Sequence, residues 1–579
     1  MINSTACPLD CYDACAITYG NGKLAGSKRH ELTQGYLCPH LNHYDKFNQI
    51  QVPTYKGEPI SMQKAVEILI ASIKKYNGSK ILHYRGHGNF ALMQGVTDYF
   101  FSKVGATLTS GSLCDGAGEA GIIEGRGSNK TLDLEQINKS EVVIVWGRNL
   151  HVTNSHLLPY LKDKKIIVID PVRTKMAECA DLFIQLKPHG DMLLALLLSR
   201  FAVINELDDE EFLKKHTDEF EEFYELTQTI RIKSNLDLID VDIGDVAKLM
   251  DLIEDKKVVI LAGVGVQKNR DGASTLRAID AFAATLGLFA KEGCGVSYLG
   301  SSQEGISNPF DLKSKRVPKA TADFSKFNMI FVQGANPLNQ MPSSLKVKQN
   351  MSKVELCVYY GLYENETLLA ADLVIPACNF LQKSDIRCSY GSNHMLKMPQ
   401  VQERSSGISE YELTLALSEE FQIELESEED YLKHFKSFLD AKECGSRVKG
   451  RDELAYENGF DTDNELFLFM DEFEFSYNND DKLFLITCKS PRSLNSQFQR
   501  DNEIHVNPAL GFRDGEEVEV SSDIGSVNLH VKNDDSLRED TVLIYSGVHG
   551  VNNLTPSYLS YEGENAVFQD KKVEIKRCK

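Results

Sequence analysis

The sequence predicts a multidomain α/β protein with parallel sheets and a separate C-terminal β-barrel. Its 579 residues suffice for several domains, at roughly 100–200 residues each. Short apolar runs that end in Gly or Asp alternate with helical stretches, the pattern of parallel strands joined by crossover helices. After residue 481 the pattern changes to strands bounded by Gly and Asp turns.

In chain order, residues 1–53 are irregular and rich in Cys, His, Tyr and Asn. They are too poor in apolar residues for a core of their own, so a ligand is expected to hold them. A helix follows at Ser61–Tyr76, with Ala65, Ile68, Leu69, Ile73 and Tyr76 at helical spacing. Strands are expected at Lys80–Tyr84, Ala106–Thr109, Val142–Trp146, Lys165–Ile169, Val258–Ala262, Met329–Gln333, Leu356–Tyr360 and Leu373–Pro376, with helices at Asp191–Ile204 and Thr275–Leu286. Val143–Asn149 and Ile330–Pro337 share a strand-Gly-x-Asn plan, which points to two related halves. The segment from Ile423 to Asp481 is acidic and aromatic and reads as a connector with short helices. Barrel strands are expected at Leu483–Thr487, Glu517–Ser521, Val527–Val531, Val542–Ser546 and Lys572–Ile575. The domains read as 1–53, then 54–125 with 310–480 as one discontinuous α/β domain, 126–309 as a second α/β domain, and 481–579 as the barrel.

Lys and Arg number 63 against 84 Asp and Glu, a net charge of −21. Such a surface repels phosphate backbones and anionic lipid, so nucleic acid is excluded as a partner. Any anionic ligand must be held by local backbone amides and a few basic side chains. The start has neither a basic n-region nor an apolar h-region, and the longest apolar run, Met192–Leu198, is far short of the roughly 20 residues of a spanning helix. A cytoplasmic protein without a membrane span is expected. The 13 cysteines are an odd number, which argues against a disulfide framework.

Cys7, Cys11, Cys15 and Cys38 are spaced C-x3-C-x3-C-x22-C. Three thiolates within nine residues and a fourth on a returning loop can surround an iron–sulfur cubane. Structural zinc, which more often takes C-x2-4-C pairs, is the alternative reading.

CPLDCYDAC with GYLCP resembles the N-terminal signature of the molybdopterin oxidoreductases of the dimethyl-sulfoxide-reductase type. The resemblance continues through VPTYKGEPISMQKAVEIL, VWGRN, IIVIDPVRTKMAECADLFIQLKPHGD, VVILAGVGVQ with GLFAKEGCGVSY, IFVQGANP, NETLLAADLVIPACNFLQKSD, and LFLITCKSPRSLNSQF with HVNPALGFRDGEEVEVSSDIGSV. Each block alone is weak, but their order is specific. It implies an N-terminal [4Fe–4S] subdomain, two Rossmann-like α/β domains and a six-stranded double-psi-type barrel. It also implies a bis-molybdopterin guanine dinucleotide cofactor carrying molybdenum or tungsten, and one [4Fe–4S] cluster on Cys7, Cys11, Cys15 and Cys38.

The family commonly has a lysine two residues after the fourth cluster cysteine, between cluster and pterin. Here that position is His40, with Lys46 a weaker substitute. Cys114, in GSLCDGAGEAG, resembles the residue that ligates the metal. A helix begins just after it, which is expected to lower the thiol pKa. Asp115 beside it is read either as a proton-transfer group or as a helix cap. Gly116, Gly118 and Gly121 spell G-x-G-x-x-G but lack the context of a nicotinamide site. They are expected to let backbone approach a bulky cofactor. Dinucleotide contacts carried over by motif are Gly147, Asn149, Asp170, Arg173 and Asp191 in one half, and Gly334, Asn336, Glu366 and Asp372 in the other. The barrel adds Ser493, Asn495, Ser496, Asn552 and Asn553. Plain structural roles, such as strand stops, turns and helix caps, remain open for Asp170, Asn336 and Asp191.

The implied activity is two-electron redox of an unidentified small molecule, by oxygen-atom transfer or dehydrogenation, with single electrons passing through the cluster to a ferredoxin-like protein or subunit. Family formate dehydrogenases usually carry His after the metal-ligating residue, so Asp115 disfavours formate. The alternatives are a pterin-free iron–sulfur electron-transfer subunit, a formylmethanofuran-dehydrogenase-like subunit, and a zinc-stabilised α/β binding protein.

Overall fold

The structure, a computed structural model, describes residues 3–42, 44, 49–86, 91–310, 312–442, 445–475, 477 and 481–578. The chain opens with a small antiparallel sheet of β1 (Asn3–Ala6), β2 (Ala16–Gly20) and β3 (Lys23–Gly26). Its few apolar residues, among them Ala6, Leu9, Ile17 and Leu41, pack against Phe380, Leu381, Leu396 and Met398. The segment thus borrows a core from a distant part of the chain.

The helix after it, α1 (Met62–Lys75), starts at Ser61, whose hydroxyl accepts the Lys64 N–H at 3.1 Å. Ala65, Leu69 and Ile73 form its buried stripe. Next come β4 (Ile81–Arg85), β5 (Thr107–Ser110) and α2 (Gly116–Arg126). The chain then builds a second sheet from β6 (Val142–Trp146), β7 (Lys165–Ile169) and β8 (Leu182–Ile184). After α3 (Asp191–Ile204) it continues with β9 (Val258–Ala262), α4 (Gly272–Thr285) and β10 (Gly295–Ser297). It returns to the first sheet with β11 (Arg316–Pro318), β12 (Met329–Gln333), β13 (Leu356–Gly361) and β14 (Leu373–Pro376).

The larger sheet has the order β11-β5-β4-β12-β13-β14, all parallel, with an antiparallel edge from Thr54–Tyr55 and Glu58–Pro59. The smaller has the parallel order β8-β7-β6-β9-β10. Strands of both sheets read as unbroken apolar runs because both faces are covered. The crossover helix α3 is apolar on nearly every side because α4 and the short helices of residues 210–253 enclose it.

The last domain is a closed six-stranded barrel: β15 (Leu483–Ile486), β16 (Glu503–Val506), β17 (Glu517–Ser521), β18 (Ser526–Asn533), β19 (Thr541–Leu543) and β20 (Lys572–Arg577), in the order β15-β19-β16-β18-β17-β20. Two of its pairs, β15–β19 and β16–β18, are parallel. β16 carries a half-buried alternation too short to stand out in the sequence.

Two expectations need correction. Tyr456, Phe460, Phe467 and Phe469 are not part of a loose connector. They are buried against Phe289 and Phe223, so this stretch belongs to the core of the 126–309 half rather than to the 310–480 piece. Nor do the glycines of the G-x-G-x-x-G string face a cofactor. A Cβ at Gly121 would strike the Ala273 carbonyl of α4, and one at Gly118 would lie 2.6 Å from the Tyr298 hydroxyl. Gly118 thus lets α2 press onto Tyr298, and Gly121 lets it press onto α4.

That contact is locked by a buried ion pair. Arg126 Nε donates to Asp280 Oδ2 at 2.7 Å, a second guanidinium N–H reaches Oδ1, and Phe289 lies 4.7 Å beneath the guanidinium. Removing one partner strands a buried charge and costs about 3–5 kcal/mol, whereas an apolar pair of similar volume is close to neutral. Asp280→Leu should therefore lower the denaturant midpoint sharply, and Arg126→Met added to it should restore most of the loss. Additive losses in the double variant would show that the pair does not hold α2 to α4.

Candidate active site

Ligand sites in parallel sheets form where strands end. In the smaller sheet the N–H of Gly147, after β6, donates to the Ile169 carbonyl at 2.8 Å, and that of Gly263, after β9, to Trp146 at 2.8 Å. In the larger sheet Gly334, after β12, donates to Tyr360 at 2.9 Å, and Gly86, after β4, to Gln333 at 2.8 Å. A Cβ on Gly263 would run into the Gly147 carbonyl, and one on Gly86 into that of Gly334. Gly147 and Gly334 have φ of +59° and +54°, a region that glycine enters without strain. Asn149 and Asn336 then start short helices. The two sheets thus end in the same local construction.

A cavity of about 980 Å³ runs over both strand ends and against the barrel. Gly147, Asn149, Asp170, Arg173 and Asp191 line it, as do Gly334, Asn336, Asn495, Ser496 and Asn552. Cys114 lies in its wall. Glu366 is set behind the lining: it accepts from Asn336 Nδ2 at 2.7 Å and from Arg500 at 2.7 Å. Asn336 also donates to Ser496 at 3.1 Å, which ties this half to the barrel.

Asp372, Ser493 and Asn553 are not in the lining. Asp372 sits just before β14 and accepts the Cys357 N–H near the start of β13, at the opposite edge of the sheet. Ser493 is buried in a two-residue strand. Asn553 bonds Ser344 and the Ser526 carbonyl. Asn552 lines the cavity but spends its amide on the Asn339 carbonyl.

Asp170 and Asp191 are both buried, and burial raises their carboxyls to about 7 and about 6. Asp170 Oδ1 accepts the Val172 N–H at 2.8 Å, and Asp191 accepts from Trp146 Nε1 at 2.8 Å. Asp191 is the first residue of α3, and its side chain does not cap the helix. Several buried polar atoms on the lining have no partner among the described residues: Asn149 Oδ1, Tyr84 OH, Gln333 Nε2, Thr487 Oγ1 and Ser546 Oγ. Buried polar groups are rarely left unpaired, so the cavity is shaped for a polar ligand.

Cys114 sits between β5 and α2. Ser112 Oγ accepts its N–H at 2.9 Å, and its thiol points at Asp115 Oδ1, 2.9 Å away. Ser112 also donates to that oxygen at 2.6 Å. The expected lowering of this thiol's pKa does not occur. Burial and then the Asp115 carboxylate push it well above its ordinary range, because both oppose a bare anion more than the helix start favours it. Only a bound cation would invert that balance. Asp115 is the N-cap residue of α2, but its carboxylate serves Cys114 and Ser112 rather than the helix.

Cys7, Cys11, Cys15 and Cys38 line a second, small cavity. Burial raises all four thiols, Cys7 to about 12, and mutual repulsion raises the first three further. Leu9, Cys11 and Thr153 belong to the walls of both cavities, so the two abut. His156 stands beside Cys15 at 3.5 Å and is held by Asp13 at 2.9 Å. His40 also faces the small cavity. Its Nε2 lies 3.3 Å from the Ser490 carbonyl, and burial lowers its pKa, so it is a neutral hydrogen-bonding group there. Lys46 falls outside the described residues.

Four lysines on the large cavity carry no sequence signal: Lys319 and Lys383, which are buried, and Lys268 and Lys489, which are half-buried. Lys489 donates to the Asp10 carbonyl at 3.2 Å. No spacing marks such residues, because each arrives from a different element.

Residues 63–420 match the family described as molybdopterin oxidoreductase, and residues 483–569 match the molydopterin dinucleotide binding domain. The chain is 28% identical over 434 residues to the probable oxidoreductase YyaE of Bacillus subtilis, covering 68% of this chain and 65% of that protein. It is 24% identical over 453 residues to an F420-dependent formate dehydrogenase subunit alpha of Methanocaldococcus jannaschii, covering 66% and 64%. It is 22% identical to the assimilatory nitrate reductase catalytic subunit of Bacillus subtilis, covering 60% and 58%. The matched stretches thus span less than two thirds of these relatives' own lengths. Acetylene hydratase from Pelobacter acetylenicus shares the fold, with a TM-score of 0.82 at 17% identity over 99% of this chain and all of that one. The first of these matches covers well over half of the residues, and the chain belongs to the molybdopterin oxidoreductase family.

Proposed function

We propose that this chain is a molybdenum or tungsten oxidoreductase. In this reading two pterin guanine dinucleotides fill the 980 Å³ cavity, and Cys7, Cys11, Cys15 and Cys38 hold a [4Fe–4S] cluster in an N-terminal subdomain. The barrel is then of the double-psi type that closes over the dinucleotides. The observation that carries the proposal is the junction of sites. A polar-lined cavity joins equivalent strand ends of two sheets, holds a thiol in its wall, and shares Leu9, Cys11 and Thr153 with a chamber of four cysteines.

When bound, the metal supplies two-electron chemistry, as oxygen-atom transfer or dehydrogenation of a small molecule. The chain supplies ligands, orientation and proton acceptors. Cys114 is the protein ligand to the metal, since a thiolate suits a soft, sulfur-rich site. Asp115 Oδ1, already 2.9 Å from the thiol, is the acceptor for its proton when the thiolate forms. Asp170 and Asp191 present carboxyl oxygens that match the N–H edge of a guanine. The shared wall at Cys11 sets the cluster against the cavity, and His40 is a positioning group between that chamber and the barrel. The remaining cysteines are scattered along the sequence, so electrons are exchanged with a separate ferredoxin-like protein or subunit. Among the described residues no helix is long and apolar enough to cross a membrane.

Protein purified without oxygen should contain molybdenum or tungsten near one per chain and about four irons, and release guanine nucleotide on acid treatment. Iron without either heavy metal or nucleotide would instead identify a pterin-free electron carrier. Cys114→Ala should abolish oxidation of reduced viologen by candidate oxidants while the iron stays, and Cys38→Ala should lose the iron. Wild-type turnover in Cys114→Ala would remove that thiol from the site.

Asp170 and Asp191 also predict a pH dependence. Their folded pKa values, about 7 and about 6, exceed those of an unfolded aspartate, so the folded state binds the extra protons between roughly pH 4 and 7. Stability of the nucleotide-free protein falls as pH rises through that window. Asp170→Asn and Asp191→Asn should each raise the melting temperature at pH 8 and lose that advantage toward pH 5, while holding less guanine nucleotide. A melting difference independent of pH would show that these carboxyls do not ionise at a cost in the folded protein.

A further inference from the structure

Lys319 follows β11 at the carboxyl edge of the larger sheet, beside the strand that leads to Cys114. Its neighbour Ala320 packs in one small apolar cluster with Leu113, the residue before Cys114. Lys319 and Cys114 therefore flank the same small cluster. Lys319 is 6% exposed and lines the large cavity. Among the described residues its ammonium has no hydrogen-bond, ion-pair or ring partner.

The other cations nearby are accounted for. Arg85 is paired with Asp98 at 2.7 Å and reaches Gln94 at 3.3 Å. Lys489 donates to the Asp10 carbonyl, and Lys268 lies 5.1 Å over the Phe568 ring. Asp98 is spent on Arg85 and His83. Burial first, then repulsion by Arg85, lowers the Lys319 pKa to about 8, against the pull of Cys114, Asp98 and Asp115. A buried ammonium without a partner is costly unless a ligand completes it. A further unpaired group at the same end of the sheet, Gln333 Nε2, is a hydrogen-bond donor on the face that carries His83 and Asp98. Two donors lining one cavity, one of them charged, suit the oxygens of a small anion.

We infer that Lys319, with Gln333, forms the specificity site for a small monoanionic substrate next to Cys114. The inference rests on the proposed cofactor assignment and deepens it by choosing anions over neutral oxides. The site would offset the repulsion that an acidic protein of net charge −21 exerts on such a substrate.

The test uses purified holoenzyme at fixed ionic strength, titrated with azide or nitrate as probe anions and dimethyl sulfoxide as a neutral control. Binding is read from perturbation of the metal-centred absorption and EPR spectra, with metal, iron and nucleotide content measured on each sample. Lys319→Met should weaken anion binding by about tenfold or more, as expected for a lost charge-assisted bond. Lys319→Arg should stay within about threefold of the parent, and the response to dimethyl sulfoxide should not change. Unaltered anion binding in a metal-replete Lys319→Met protein overturns this inference alone. Loss of guanine nucleotide in that variant also overturns it, since Lys319 would then hold the cofactor. A parent protein with neither heavy metal nor nucleotide overturns both this inference and the reading beneath it.

Discussion

The close crossing of glycine backbones at the strand ends is the constraint on which the rest depends. Gly263 passes against the Gly147 carbonyl, and Gly86 against that of Gly334, with no room for a Cβ at either crossing. Each crossing continues the sheet by one more hydrogen bond and then turns the chain outward. Because both sheets end this way, the space over their carboxyl edges is left open rather than filled by side chains. The barrel closes that space from one side, with Ser496 reaching Asn336 and Arg500 reaching Glu366.

Burial governs the chemistry of the space so enclosed. It raises the carboxyls of Asp170 and Asp191, the thiol of Cys114 and the four thiols of the small chamber, and it lowers Lys319. Each shift favours the neutral form, which is what desolvation does to groups with no opposite charge beside them to outweigh it. A cation among the thiols, donors facing the carboxyls and an anion beside Lys319 would each reverse the local balance. The pattern of orphaned groups therefore maps the charges that a ligand must bring.

Much of the fold could be read from residue order. The runs Val142–Trp146, Lys165–Ile169, Val258–Ala262 and Met329–Gln333 are strands with the predicted limits, because parallel strands buried on both faces are apolar throughout and end at Gly or Asp. Asp191–Ile204 is the predicted helix for the related reason that a helix enclosed on all sides needs no polar face. The strand-Gly-x-Asn repeat was visible because each half needs the same turn at the same place. The aromatic stretch around Phe460 and Phe467 was misassigned, since aromatic residues without a period do not say which core they enter.

By itself the sequence determined the elements, the clustering of Cys7, Cys11, Cys15 and Cys38, and Cys114 at a helix start, since close spacing and local period need no tertiary information. Only the tertiary structure decided that the G-x-G-x-x-G glycines let other parts of the chain approach α2, that Asp372 lies at the far edge of its sheet, and that Asp115 and burial hold the Cys114 thiol protonated. It also brought Lys268, Lys319 and Lys489 into one cavity from three elements distant in sequence. The physical reason is that pKa, pairing and approach to a ligand depend on which chain segments exclude water together, and that is a property of packing rather than of order along the chain.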